Sequence, residues 1–220
     1  MPKLVTLQEP TSPAAEAFRT LRTNIQFAAL EKPIKTLLVS SPAPDEGKSA
    51  TVANLAVTLA QAGHKTILVD ADLRRPSQHT LWGISNDSGL TSMMLSKKVG
   101  EPPLCGVEVD NLAVLPSGPI PPNPADLISA PRMNDIIEAL ADQAEFVLFD
   151  APPILAVTDA ILLGSKVDGL LLIVKAGATR RDHAQRAKDA LQRANVRVLG
   201  VALTNAPRDA SMASYYGTKP

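Results

Sequence analysis

Cysteine, aromatic side chains, net charge and long apolar runs are all scarce or missing in this chain of 220 residues, and each shortage removes a class of function. Cys105 is alone, so neither an intramolecular disulfide nor a multi-cysteine metal cluster can form, and a lone small thiol fits a reducing compartment. With aromatics at 3% and hydrophobic residues at 45%, the core must be mostly Ala, Leu, Val and Ile, the composition of helices packed on a buried parallel sheet. Lys and Arg total 22 against 22 Asp and Glu, which leaves no basic field to draw the chain onto nucleic acid or anionic lipid. No apolar run approaches the roughly 18 residues that span a bilayer, and the opening "MPKLVTLQEP" has no signal-peptide apolar segment. The expectation is a soluble chain with no nucleic-acid partner and no membrane span of its own.

What is present alternates along the chain. The first dozen residues are polar and proline-punctuated, and 1–12 reads as a flexible segment. "PAAEAFRTLRTNIQFAAL" then sets Ala17, Leu21, Ile25 and Ala28 at three-to-four spacing, an amphipathic helix with Arg19 and Arg22 off its apolar stripe. Short apolar runs follow at 36–41, 65–70, 111–116, 145–150, 169–176 and 197–204, several nearly unbroken, as strands covered on both faces should be. Helix patterns lie between them at 48–62, 124–141 and 180–194, while 76–122 is less regular and rich in Pro, Gly and Ser. This alternation predicts a single α/β domain over 13–207 with a mostly parallel, doubly wound sheet, and then a flexible tail over 208–220.

"SSPAPDEGKSATVANLA" (40–56) follows one predicted strand and opens the next helix, where a phosphate-binding loop belongs. It ends in Gly47, Lys48 and Ser49 but has Pro42 where such a loop usually opens on glycine, and "GKS" alone is a weak signal. Two more predicted strands end on carboxylates: "ILVDADLRRP" supplies Asp70 and Asp72, and "FVLFDAPP" supplies Asp150. In a parallel sheet the carboxyl ends of strands share one edge, so these groups should converge there with the lysine loop. One hydroxyl and one or two carboxylates suffice for Mg²⁺ beside phosphates. Taken singly, Asp70 and Asp150 are as readily helix caps or turn formers; together with the loop they predict a nucleotide site.

These motifs resemble those of the bacterial tyrosine kinases of capsule and exopolysaccharide synthesis, the BY-kinases, over nearly the whole chain. Their Walker A segment reads S-x-x-P-x-x-G-K-[ST], met here by Ser41, Pro44, Gly47, Lys48 and Ser49, so the proline-containing loop looks like a family trait. "ILVDADLRRP" is similar to their Walker A′ motif and "FVLFDAPP" to their Walker B. The resemblance implies a P-loop NTPase fold, ATP and Mg²⁺ as cofactors, and a phosphate cradle over Pro44, Asp45, Glu46, Gly47, Lys48, Ser49 and Ala50. It implies that Lys48 neutralises the β and γ phosphates and that Ser49 binds the metal, with Asp150 and Asp72 beside it. Asp70 or Asp72 would accept the tyrosine proton, and the residues leave open which. Arg74 and Arg75 either add positive charge or form surface ion pairs.

Glu16, Arg19 and Arg22 match an E-x-x-R-x-x-R element that lies at subunit contacts of a ring in that family; by themselves they read as a solvated helix face. "PPNPADLI" is similar to the family's loop and helix before Walker B. The family usually ends in several tyrosines, and here "SMASYYGTKP" offers only Tyr215 and Tyr216 as phosphoacceptors. The resemblance further implies a separate transmembrane activator that recruits a cytoplasmic kinase to the inner face of the membrane. Two rival readings remain: a ParA or MinD-type ATPase, opposed by Ala43 where the signature lysine would stand, and a nucleotide-gated export module that needs no tyrosine tail. Asn205 is read as a turn former rather than an adenine contact.

Overall fold

Six apolar runs of the sequence become six parallel strands in one sheet; the central ones are buried on both faces and have no polar side to show to water, while the last, Val198–Thr204, lies at an edge with Val201 and Leu203 exposed. The computed structural model describes residues 3–30, 32–96 and 100–206. Its strands are β1 (Thr36–Ser40), β2 (Thr66–Asp70), β3 (Cys105–Gly106), β4 (Leu112–Leu115), β5 (Phe146–Asp150), β6 (Gly169–Lys175) and β7 (Val198–Thr204). They run in the order β3-β4-β2-β5-β1-β6-β7, and only the two-residue β3 is antiparallel to its neighbour. The described helices are α1 (Val5–Gln8), α2 (Pro13–Ala28), α3 (Lys48–Gln61), α4 (Gln78–Trp82), α5 (Leu90–Leu95), α6 (Pro124–Ser129), α7 (Arg132–Ala141), α8 (Asp159–Gly164) and α9 (Arg181–Arg193).

Helices cover both faces of the sheet, as the doubly wound reading requires. Ile25 of α2 and Val52, Leu55 and Leu59 of α3 join Leu37, Leu68 and Leu148 on one face. Met93 of α5, Ile136 and Leu140 of α7, Leu163 of α8 and Leu191 of α9 join Leu38, Val69 and Phe149 on the other. The register sets Asp70 beside Asp150 and Val39 beside Asp150, so the central strands β2, β5 and β1 finish together at one edge.

The structure departs from the sequence reading in several places, among them the short helices α4, α5 and α8 and the strand β3, which that reading did not place. The segment 1–12, expected to be flexible, carries α1 from residue 5, with Leu4 and Thr6 buried. Thr6 donates both its N–H and its hydroxyl to Asn54 Oδ1 of α3, at 3.1 and 2.8 Å, which ties the segment down. The helix expected over 124–141 is two helices, since Pro131 lacks an N–H and pushes Ala130 into an extended conformation (ψ 145°). In α2, Leu21, Ile25 and Ala28 pack on the core as predicted, but Ala17 is exposed and Ala15 is buried in its place. The predicted tail 208–220, with Tyr215 and Tyr216, lies outside the described residues. Among the described residues no helix is long and apolar enough to cross a membrane.

Candidate active site

Between β1 and α3 the chain makes a tight loop with two left-handed residues, Asp45 (φ 60°) and Gly47 (φ 84°). Glycine adopts that conformation freely, and here it leads straight into the first turn of α3, whose leading N–H groups have no intrahelical partner. The loop is pinned from the β6–β7 side. The buried Glu46 carboxylate accepts from the Ala43 N–H (3.2 Å) and the Thr179 hydroxyl, while its carbonyl accepts from Thr204 Oγ1 (2.8 Å). Lys175 Nζ donates to the Asp45 carbonyl at 3.2 Å. Glu46 is thus turned inward as an anchor, whereas Pro44, Asp45, Gly47, Lys48, Ser49 and Ala50 line a cleft of about 600 Å³.

Lys48 Nζ is the centre of that cleft. It lies 3.2 Å from Ser49 Oγ, 3.0 Å from Asp72 Oδ2 and 3.4 Å from Asp150 Oδ1. Burial works against its charge, but Asp150 and then Asp72 outweigh burial and hold the ammonium above its ordinary pKa. Asp150 at the end of β5 and Asp72, two residues past β2, therefore meet the lysine loop, whereas Asp70 at the end of β2 does not. Asp72 lines the cleft, with Oδ1 held by the Arg75 N–H at 3.0 Å.

Asp70 sits behind the cleft wall. Its Oδ2 accepts the N–H groups of Ser77 and Gln78, both at 2.8 Å, and Oδ1 accepts that of Asp72 at 3.3 Å. It fastens the turn from β2 to α4. Burial first, and the Asp150 charge second, push its pKa up to about 7 against the pull of the Gln78 and Ser77 N–H groups. Arg74 forms a two-pronged pair with Asp159 at the start of α8 (2.8 and 3.0 Å), so its charge is already engaged, while Arg75 is exposed at the rim.

Two contributors escaped the sequence. Gln78, fully buried, donates to Asp150 Oδ2 at 2.8 Å and to the Ser49 carbonyl at 3.1 Å. Thr179, after β6, holds Glu46. Neither belongs to a spacing pattern; both are brought in by tertiary approach. Asn205 has a left-handed backbone (φ 55°), as expected of a turn former.

Glu16, Arg19 and Arg22 are not part of the cleft. On α2, Arg19 pairs with Glu16 at 2.8 Å and donates to the Pro10 carbonyl at 2.6 Å. Arg22 reaches back to the Thr58 carbonyl of α3 at 2.9 Å.

Among the described residues no group of three or more His, Cys, Asp and Glu could hold a metal ion unaided. What the cleft does assemble is one hydroxyl and two carboxylates around an ammonium, hard oxygen donors on which a cation already sits. That set fits a Mg²⁺ which takes its other ligands from phosphate and water.

Comparison with known proteins agrees with this geometry. The ParA family, described as NUBPL iron-transfer P-loop NTPase, matches residues 34–206. The tyrosine-protein kinase YwqD of Bacillus subtilis (strain 168) is 42% identical over 217 residues, covering 98% of this chain and 92% of YwqD. The crystal structure of the chimerical protein CapA2B2 superposes with a TM-score of 0.88 at 36% identity, covering 93% of this chain and 90% of that one. The kinase domain of the Escherichia coli tyrosine kinase ETK reaches 0.89 at 32% identity, covering 94% of this chain and 82% of that one. With its proline-bearing loop and the carboxylates of Asp72 and Asp150 meeting at Lys48, the chain belongs to the bacterial tyrosine kinases, the BY-kinases, within the ParA-type P-loop NTPases.

Proposed function

We propose that this chain is an ATP-dependent protein-tyrosine kinase of capsule or exopolysaccharide synthesis that phosphorylates its own tail. The observation that carries the reading is the meeting of Lys48, Ser49 and Asp72 in one cleft, with the buried Asp150 against Lys48, in a chain whose relatives are named tyrosine kinases. The loop and first turn of α3 receive the phosphates on free N–H groups, and Lys48 leaves the carboxylates for the β and γ phosphates. Ser49 and Asp150 would hold Mg²⁺ beside Asp72, and the ion would supply charge neutralisation on the transferring group. Once Lys48 moves, Asp72 Oδ2 is released to take the phenolic proton as the tyrosine oxygen bonds to phosphorus and the bond from phosphorus to the ADP oxygen breaks. Asp70, with both oxygens held by backbone N–H groups, serves as the fastener of the turn and not as the base.

The acceptors in this reading are Tyr215 and Tyr216. A transmembrane activator recruits the chain to the cytoplasmic face of the membrane, and Glu16, Arg19 and Arg22 contribute to a ring of copies. Phosphotyrosine detection on the purified full chain with Mg²⁺ and ATP, with and without a fused activator-type tail, tests this. Signal lost in Tyr215→Phe plus Tyr216→Phe is expected; intact ATP binding with no phosphotyrosine under either condition would replace the kinase by a nucleotide-gated assembly module.

A further inference from the structure

Gln78 has no part in the motifs that identify the site, yet it is fully buried and reaches two of the groups that make it. Its Nε2 lies 2.8 Å from Asp150 Oδ2 and 3.1 Å from the Ser49 carbonyl, and its Oε1 lies 3.2 Å from Trp82 Nε1. These partners permit only one orientation of the amide. An ionised carboxylate and a carbonyl can only accept, so both must face the NH₂ group; an indole N–H can only donate, so it must face the oxygen. Swapping the amide ends would set oxygen against oxygen twice and N–H against N–H once.

The consequence falls on Asp150. With Oδ2 committed to Gln78, Oδ1 is the oxygen turned toward Lys48, on the side of Ser49 and Asp72. The same amide grips the Ser49 backbone, so the metal hydroxyl and the Walker B carboxylate are held by one side chain. Trp82, four residues further along α4, fixes that side chain in turn, and the Asp70 carboxylate holds the N–H at its base.

We propose that Gln78, locked by Trp82, is the positioning residue of the cation site: it holds Asp150 and Ser49 so that Mg²⁺ with ATP finds its protein ligands already placed. This rests on the nucleotide-site part of the proposed function and not on tyrosine transfer. Supporting groups behind a metal ligand commonly carry tenfold or more of the affinity.

The test uses the full chain and a fluorescent ATP analogue, titrated with Mg²⁺, for wild type, Gln78→Met, Gln78→Glu and Trp82→Phe, with melting temperatures taken alongside. Gln78→Met keeps the volume and removes both donors, so the Mg²⁺ concentration for half-maximal binding should rise about tenfold. Gln78→Glu keeps the shape but points oxygen at Asp150 and should rise at least as far. Trp82→Phe should give a smaller rise, because the amide loses its lock but keeps its donors. A purely structural role would instead lower all melting temperatures and leave the Mg²⁺ midpoint unmoved. A midpoint for Gln78→Met within about twofold of wild type, against the expected tenfold, overturns the proposal. So does a wild type whose ATP binding ignores Mg²⁺. Normal Mg²⁺ behaviour with no phosphotyrosine in wild type would refute the kinase reading and leave this inference standing.

Discussion

Asp70 and Asp150 stand side by side as register partners at the ends of β2 and β5, two carboxylates with no exposure to water. Only Asp150 has a cation against it, at 3.4 Å; Asp70 has backbone N–H groups. Burial first, and the neighbouring Asp150 charge second, raise Asp70 to about 7.

That shift has a defined effect on stability. Because the folded value lies above the ordinary 3.8, between about pH 4 and 7 the folded state keeps a proton that the unfolded state has lost. Stability in this window therefore falls as pH rises, and the loss is complete above the folded value. Urea unfolding at pH 5 and pH 8, without metal or nucleotide, should show a larger drop for wild type than for Asp70→Asn. Equal drops would contradict the raised value. The comparison is between pH values within each protein, since the amide also alters the bonds to the turn.

The N-terminal segment is predicted to be an integral part of the domain. Asn54 accepts twice from Thr6 and donates from Nδ2 to the Ala50 carbonyl at 2.8 Å, one turn behind it on the helix that carries Lys48. Asn54→Ala strands the buried Thr6 donors and should cost about 1–3 kcal/mol in urea unfolding. Limited proteolysis should then cut before residue 13 faster than in wild type. An unchanged cleavage rate would mean that the Thr6 contact does not hold the segment.

For α2 the expected outcome separates assembly from binding. Arg19 and Arg22 are bonded to Glu16, Pro10 and Thr58, none of which lines the nucleotide cleft. The double change Arg19→Ala plus Arg22→Ala should leave ATP affinity within about twofold, as changes away from a site usually do. The same variant should shrink any oligomer seen in sedimentation velocity. An oligomer of unchanged size would remove these residues from the interface.

The parts of the fold legible in the sequence are those whose burial leaves a local mark. β5 and β6 read as unbroken apolar runs, and "GKS" and the two acidic strand ends sit where the strands stop. α1 left no such mark, because four residues are too few to display a helical period; what holds them is Asn54, 48 positions away. The break at Pro131 was readable, since proline restricts the residue before it, but the apolar period continues across the break and hides it. Gln78 was out of reach: nothing local distinguishes it from an exposed glutamine until the turn held by Asp70 carries it against β5. The same holds for Glu46, which reads as a loop residue facing ligand and is instead drawn inward by Thr179.

The central claim is that the Lys48 cleft transfers phosphate to tyrosine, and phosphoamino-acid analysis after incubation with radiolabelled ATP and Mg²⁺ tests it most directly. Wild type, joined to an activator-type tail, should yield labelled phosphotyrosine. Lys48→Met should lose at least about a hundredfold, the usual cost of removing a charge-stabilising group from a transition state. Asp72→Asn should lose a similar factor while still binding nucleotide. Phosphotyrosine formed at the wild-type rate by Lys48→Met, or no phosphotyrosine from a wild type that binds ATP, would contradict the account.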